Sequence, residues 1–302
     1  MVTDINSKQY NVKVTVFTPT YNRAYIIKQL YQSLCAQTCR DFEWLVVDDG
    51  SVDNTEELFQ KWQLECKAFP IRYYKKENGG KCRAINYALD LAQGELFFTV
   101  DSDDYLTEDA VEKIVHWESE LPKDENYCGI AGNLGTAKEE TINRMFETEY
   151  FDGTLLDRYR CVDGERAIVI YTDIHKKYRY PEFEGEKFMT EAVVWNRMAN
   201  DGYKMRFYND IIWIYEYRAD GLTKAGNTLF LNNPKGYGLW IKEKAEFQNI
   251  ALKEKFKMYY TFCCDLSNRV DRKIIAESIG IPRVLVFILQ ILHVVKIILK
   301  GK

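Results

Sequence analysis

From residue 13 to residue 100 the chain passes repeatedly from a short apolar run into a stretch of helical period, and no other feature narrows its fold so far. KVTVFT (13–18) leads into PTYNRAYIIKQLYQSLCAQT, where apolar residues recur at helical intervals and Asn22 is a candidate N-cap. FEWLVVDDGSVDNTEELFQKW repeats the change: residues 42–47 read as a strand, Gly50 as the turn, and Asp53 with Glu56 as a capping box. IRYYKKENGGKCRAINYALDLAQ is a third such unit, and GELFFTV forms a fourth strand. Strands alternating with helices require a parallel sheet covered on both faces, because each crossover lays its helix across the sheet. Such sheets hold ligands, nucleotides among them, at the carboxyl ends of their strands. Tyr21 and Asn22, Asp48 and Asp49, Lys76 to Asn78, and Asp101 to Asp104 all fall there.

Beyond Thr107, a candidate N-cap, VEKIVHWESE reads as a helix and YCGIAGNLG as a return to the sheet. Residues 132–188 are irregular and rich in aromatic and charged groups, which suits an acceptor-facing surface. Phe188 to Ala199 read as a helix and KMRFYNDIIWIYEY as one or two strands, followed by a polar loop, ADGLTKAGN. Helices are expected over Lys235 to Phe262 and Leu266 to Ser278. With 302 residues, 46% of them hydrophobic, the chain can bury a large core, which excludes a disordered class. A formal net charge of -4 argues against broad nucleic-acid binding.

The amino terminus lacks the basic-then-apolar pattern of a secretory signal, so the eight cysteines are expected to be reduced in a cytoplasmic protein. Cys35 and Cys39 have no second pair or nearby histidine at zinc spacing and read as small buried residues, as do Cys263 and Cys264. The end of the chain, PRVLVFILQILHVVKIILKGK, is apolar from Val284 to Leu299 except at Gln290, His293 and Lys296. At about 1.5 Å per residue it is short for a bilayer of roughly 30 Å. Arg283, Gln290, His293, Lys296 and Lys300 share one narrow helical face, leaving a broad apolar one suited to a membrane surface or, alternatively, to packing on protein.

Two acidic clusters, VVDDGS (46–51) and VDSDD (100–104), end predicted strands that the sheet brings together. Asp49 can accept hydrogen bonds from a nucleobase or ribose while Asp48 supports the turn; alternatively both only terminate local structure. Asp101 and Asp103, one residue apart, can face a divalent cation that compensates the phosphates of a nucleotide sugar, although an Asx turn with Asp104 or Thr107 capping the next helix uses the same residues. In ENGGKCRAINYAL, Gly79 and Gly80 let backbone approach a ligand, with Arg83 the stronger candidate for a base or phosphate contact and Lys81 the weaker. The chain has neither GxGxxG nor GxxxxGK[ST], which disfavours a nicotinamide domain and a P-loop enzyme. His175 and His116 read as a core or loop histidine and a helix-surface histidine.

Taken in order, TVFTPTYNRAYIIKQLYQSLCAQT (15–38), FEWLVVDDGSVDNT (42–55), NGGKCRAINYAL (78–89) and GELFFTVDSDDYL (94–106) resemble the family 2 glycosyltransferases of the GT-A fold. EGEKFMTEAVVWNRMA and YEYRADGLTKAGN resemble the later part of bacterial polysaccharide-building members. The resemblance implies a GT-A α/β architecture: a Rossmann-like, mostly parallel sheet flanked by helices, with a helical carboxyl-terminal extension. The expected division is a GT-A domain over residues 1–230 and an extension over 231–302 ending in the amphipathic helix.

The resemblance further implies that Pro19, Tyr21 and Asp49 contact the nucleoside and that Arg83 approaches base or phosphates. In the same pattern Asp101 touches sugar or ribose and shares in the metal site, and Asp103 is the direct ligand of Mn2+ or Mg2+. Lys81 and Arg218 are further donor-binding candidates, the latter with Tyr217 and Lys224 beside it. The implied reaction is inverting transfer from a nucleoside-diphosphate sugar, most often UDP-linked, to a hydroxyl of a lipid-linked saccharide. It would take place at the inner face of the bacterial cell membrane.

Family members commonly carry a Glu-Asp pair as base; MTEAVVW keeps Glu191 but has Ala192 in the second place, so Glu191 is the candidate, with Glu186 and Glu184 as alternatives. Two other readings stay open: a nucleotidyltransferase releasing pyrophosphate, and a nucleotide-sugar-binding protein without catalysis, to which the Ala192 departure points.

Overall fold

The computed structural model describes residues 10–137, 140–141, 143–157, 162, 164–216, 226–247 and 250–300. The chain divides into two compact units, Met1–Arg179 with Gly202–Glu216 and Tyr180–Asp201 with Tyr217–Lys302.

In the first unit β1 (Val12–Thr20), β2 (Phe42–Asp48), β3 (Ile71–Lys75) and β4 (Gly94–Thr99) run parallel in the order β3-β2-β1-β4. The crossovers through α1 (Lys28–Cys35) and α2 (Thr55–Glu65) step one way, and the crossover through α3 (Lys81–Leu91) steps back, so right-handed connections put α3 on the opposite face. Every residue of β2 is buried, which is why FEWLVVD does not alternate between apolar and polar; its one internal charge, Glu43, is held by the Thr15 hydroxyl at 2.7 Å and by Arg72 at 2.8 Å. Trp44 fixes its register: the ring sits 5.0 Å from Phe59, and Tyr31 stacks on Trp62 at 4.3 Å. A slip of one residue would turn Trp44 to the other, equally covered face and take its ring out of this aromatic cluster.

The parallel order ends at β4. The next strand, β9 (Arg166–Tyr171), is antiparallel to both β4 and β6 (Tyr127–Ala137) and runs into the one-turn helix α5 (Thr172–His175), and β10 (Lys204–Ile214) then runs parallel to β6. Three short strands complete the sheet, all antiparallel: β5 (Tyr105–Leu106) and β8 (Tyr150–Gly153) on β10, and β7 (Glu140–Thr141) on β6. KMRFYNDIIWIYEY thus supplies one bulged strand, and the irregular 132–188 segment holds three of the antiparallel strands.

Three expected helix starts differ in detail. Asn22 does not cap α1; it takes a left-handed conformation (φ 54°), and the helix begins at Lys28. Asp53 accepts from the Thr55 amide at 3.2 Å, but Glu56 turns away from the capping box to pair with Lys75 at 2.9 Å. Ahead of α4 (Ala110–Ser119), the Thr107 hydroxyl donates to Asp109 at 2.7 Å, and the amide of Val111 is instead met by Gln37 Oε1 at 2.9 Å.

The second unit contains α6 (Ala192–Asn200), α7 (Asn227–Leu231), α8 (Pro234–Phe247), α9 (Leu252–Asp265), α10 (Arg272–Ile279) and α11 (Arg283–Lys300). The single helix expected over 235–262 is therefore two. Ile241, Phe262, Leu266, Ile275, Ile279, Val286 and Leu289 form its core. Two members of the polar stripe of α11 lie on its packed side with Val286 and Leu289, while Arg283 and Lys296 are exposed. Gln290 donates to the Cys263 carbonyl (3.2 Å) and accepts from Arg272 (2.7 Å), and His293 Nδ1 lies 3.0 Å from the Tyr260 hydroxyl. Other apolar residues face outward: Phe287, Ile288, Ile291, Leu292 and Val295 are each exposed by more than 40%. Among the described residues no single helix is long and apolar enough to cross a membrane.

Candidate active site

The carboxyl ends of β1 and β2 and the loop after β3 are tied together by a chain of side-chain-to-backbone hydrogen bonds. Asp48, fully buried at the end of β2, accepts from the Ser51 amide at 2.6 Å and from the Tyr73 hydroxyl, so it shapes the turn. Ser51 Oγ in turn accepts from the Asn22 amide at 2.8 Å, and Asn22 Oδ1 accepts from the Val52 amide at 2.8 Å. Gly50 holds φ +91°, and a Cβ there would meet the Asn78 nitrogen at 3.1 Å.

Asp49 faces the glycine loop. Its two oxygens accept from the Gly79 amide (2.9 Å) and the Gly80 amide (2.7 Å), and Lys76 Nζ donates to the first oxygen at 2.7 Å. The expected donor-contacting carboxylate is thus also the anchor of the loop from which α3 starts. Gly79 lets Arg83 and Lys76 close over it, since a Cβ would stand 2.8 Å from Arg83 Cδ and 3.1 Å from Lys76 Nζ. Arg83 donates back to the Gly79 carbonyl at 3.2 Å. Tyr21, about half exposed, directly follows β1, and Pro19, half-buried, pairs in register with Val47.

At the end of β4, Asp101 to Asp104 form a turn closed by the Asp104 amide on the Asp101 carbonyl at 3.3 Å. The carboxylates have separate partners. Lys81 Nζ lies 2.7 Å from Asp101 Oδ1, Arg23 Nη2 lies 3.8 Å from Asp103 Oδ2, and Asp104 accepts from the Trp213 indole at 2.8 Å and from the Glu216 amide at 3.4 Å. Burial, then the charge of Asp101, hold the Asp103 carboxyl above the usual range against the pull of Arg23 and Lys81. Burial, again reinforced by Asp101, pushes Asp104 up to about 7. Asp104 therefore supports the turn, while Asp101 and Asp103 concentrate negative charge at its open side.

Hard oxygen donors of like charge, one residue apart, fit a divalent cation. Among the described residues no three histidine, cysteine or acidic side chains cluster as a metal cage. One or two carboxylates completed by phosphate oxygens are enough for Mg2+. A cavity of about 250 Å³ lined by Asp109, Lys113, Met145 and Asp210 does not include these strand-end groups. His175 is buried edge-on to Phe97 at 5.4 Å, a core histidine, and His116 is exposed on α4 at 3.5 Å from Glu120.

In the second unit the three glutamates have distinct settings. Glu186 accepts from the Lys235 and Gly236 amides at 2.7 and 2.9 Å, capping α8 with both oxygens. Glu184 is exposed in a turn with Gly185. Glu191 stands half-buried ahead of α6, where its backbone carbonyl accepts from Val194 and Trp195 and its side chain makes no cap. Tyr217, Arg218 and Lys224 lie outside the described residues. Arg23, which the sequence reading passed over, follows Tyr21 and Asn22 directly; a cation at a strand end opposite two predicted carboxylates was the signal available.

The β3-β2-β1-β4 order, the antiparallel β9 and the acidic turns at the ends of β2 and β4, on either side of β1, define an α/β glycosyltransferase core of the GT-A type. A family model described as glycosyl transferase family 2 matches residues 15–183, more than half of the chain, and the chain belongs to that family. It is 40% identical over 180 residues to the chondroitin synthase of Pasteurella multocida, covering 60% of this chain and 15% of that protein. It is 25% identical over 232 residues to the glycosyltransferase GlyG of Streptococcus pneumoniae serotype 4, covering 70% and 73%. Its fold is similar to that of S. aureus TarS residues 1–349 in complex with UDP-GlcNAc, with a TM-score of 0.62 and 18% identity over 87% of this chain and 82% of that one.

Proposed function

We propose that this chain transfers a sugar from a nucleoside-diphosphate sugar, UDP-linked, to a hydroxyl of a lipid-linked saccharide during bacterial surface-polysaccharide synthesis, with inversion at the sugar carbon. The observation that carries the reading is the convergence at three strand ends of one sheet: the Asp49–Gly79–Gly80 loop at the ends of β2 and β3, and the Asp101/Asp103 pair after β4 with Lys81. The names of the relatives, a chondroitin synthase and a structure holding UDP-GlcNAc, support the donor class.

In this reading Pro19 and Tyr21 flank the nucleoside, Asp49 holds the loop that receives it, and Arg83 and Lys81 face the phosphates, with Arg218 a further donor group. Asp103, with Asp101 beside it, would hold Mn2+ or Mg2+, whose charge offsets that of the departing diphosphate. Glu191 takes the proton from the acceptor hydroxyl as its oxygen bonds the sugar carbon, and the carbon–oxygen bond to the diphosphate breaks. Glu186 is committed to capping α8, which leaves Glu191 as base ahead of Glu184.

Residues 1–230 carry transfer, and 231–302 hold the enzyme at the cytoplasmic membrane surface through α11, whose outward apolar face supports docking there. The test is product analysis after incubation of nucleotide sugars and lipid-linked acceptors with Mn2+ or Mg2+. Glu191→Gln is expected to lower turnover about 10²- to 10⁴-fold with donor binding unchanged. Retained turnover, or a product of retained configuration, would refute the base or the inverting course.

A further inference from the structure

We propose that Arg23 is a diphosphate-binding residue of this site: its guanidinium screens Asp103 in the free protein and engages the donor's diphosphate once a divalent ion is held at that carboxylate. The inference rests on the donor-site reading above.

The backbone around Arg23 is fixed more firmly than a surface loop requires. Asn22 is the one non-glycine residue with positive φ among those described, a conformation that persists where its surroundings over-determine it. They do so here through three hydrogen bonds to the 51–53 segment. The Asn22 amide donates to Ser51 Oγ at 2.8 Å, the Val52 amide donates to Asn22 Oδ1 at 2.8 Å, and the Ala24 amide donates to Asp53 Oδ2 at 3.0 Å. The residues on both sides of Arg23 are therefore pinned to the β2 turn, which Asp48 itself holds. Past Arg23, its carbonyl accepts from Ile26 and Ile27 at 3.0 Å each and starts the approach to α1. The strained turn at Asn22 reverses the chain so that the next side chain reaches across to the end of β4.

That side chain is placed without being spent on Asp103. Its Nη1 donates to the Tyr25 hydroxyl at 2.6 Å, while Nη2 stands 3.8 Å from Asp103 Oδ2, too long for a hydrogen bond. The contact screens the carboxylate without occupying one of its lone pairs. Asp101, by contrast, is in direct contact with Lys81 at 2.7 Å. The pair therefore has one tightly held member and one loosely screened member, and the loosely screened one is open to a harder ligand.

The diphosphate of a sugar nucleotide brings two negative charges to a strand end that already carries Asp101 and Asp103, so cations beside those carboxylates, Arg23 with Lys81, are needed in addition to the divalent ion. A planar guanidinium within reach of phosphate oxygens binds them through paired N–H groups, a geometry that lysine lacks.

The experiment compares wild type, Arg23→Gln and Arg23→Lys in the full chain. Titration calorimetry with UDP, GDP and CDP in the presence of Mn2+ measures nucleotide affinity, and electron paramagnetic resonance measures Mn2+ binding without nucleotide. Arg23→Gln should weaken nucleoside-diphosphate binding by about 10- to 100-fold while Mn2+ binding to the free protein stays equal or tightens. Arg23→Lys should fall between the two. Unchanged nucleotide affinity in Arg23→Gln, where wild type binds in a Mn2+-dependent way, would overturn the proposal. So would a parallel loss of Mn2+ and nucleotide binding, or a melting temperature lowered equally in both variants with equal loss of affinity, since Arg23 would then only hold the turn. A wild type that binds none of the three nucleotides would overturn the donor-site reading and this proposal with it.

Discussion

Replacing Asp49 by asparagine removes one negative charge and changes almost no volume, so its effect isolates the carboxylate's work. In the protein both oxygens of Asp49 accept backbone amides, from Gly79 at 2.9 Å and Gly80 at 2.7 Å, and Lys76 adds a third contact at 2.7 Å. An asparagine amide offers one oxygen, so its NH2 group must face one of the two glycine N–H groups. That amide loses its acceptor in a nearly closed setting, for Asp49 is 6% exposed, and the hydrogen bonds that survive are no longer charge-assisted. An orphaned buried donor costs about 1–3 kcal/mol and loss of charge about 1 kcal/mol more, a total near 2–4 kcal/mol. For a unit of this size that is a fall of roughly 4–16 °C in melting temperature, read by far-ultraviolet circular dichroism without any nucleotide. Calorimetric titration with UDP should show binding lost as well, because the loop that starts α3 moves. An Asp49→Asn protein that melts within about 1 °C of wild type and loses only nucleotide affinity would refute the argument. In that case the carboxylate would act as a ligand contact and the glycine loop would stand without it.

Two further outcomes follow from burial. His175 is closed off beside Phe97, and burial, with Arg179 nearby, lowers its pKa to about 3 from 6.5, so the fold holds it neutral while the unfolded chain takes up a proton below about pH 6.5. Stability should therefore fall as pH drops from 6.5 toward 3, by up to about 1.4 kcal/mol per unit, and urea denaturation of His175→Met at pH 7.5, 6 and 5 should show that part of the slope removed; parallel profiles would contradict it. On α11, Ile288→Glu with Leu292→Glu alters side chains already 46% and 49% exposed, so the helical circular dichroism should be unchanged while flotation with anionic lipid vesicles is lost.

The first hundred residues were readable because burial leaves a pattern. β2 does not alternate because it is covered on both faces, and turn residues mark where each strand stops. Direction leaves no such pattern: alternation reports which side is buried, so β9 gave no sign that it would enter the sheet antiparallel. Asn22 was read as a cap because asparagine suits an N-cap and the left-handed region equally, and only its partners in the 51–53 segment decide between them. The acidic clusters were legible as clusters, but the division of labour within them was not. Asp49 is claimed by amides about thirty residues away, Asp104 by an indole more than a hundred residues away, and Glu186 by the start of a helix nearly fifty residues on. The polar stripe of α11 was visible as a stripe; that Cys263, Arg272 and Tyr260 would claim its Gln290 and His293 is a tertiary fact.

The bond from Trp213 to Asp104 spans 109 residues of chain, and β5, just after the acidic turn, pairs only with β10. During synthesis the glycine loop and its carboxylate can assemble once residue 80 has left the ribosome, whereas the acidic turn waits for residue 213. At about 5–20 residues per second that interval is roughly 7–27 s. A nascent chain therefore passes through a stage with a finished glycine loop and an unsupported Asp101–Asp104 segment. A chain cut short before β10 would leave the Asp104 carboxylate without its indole partner, however well the preceding strands had folded.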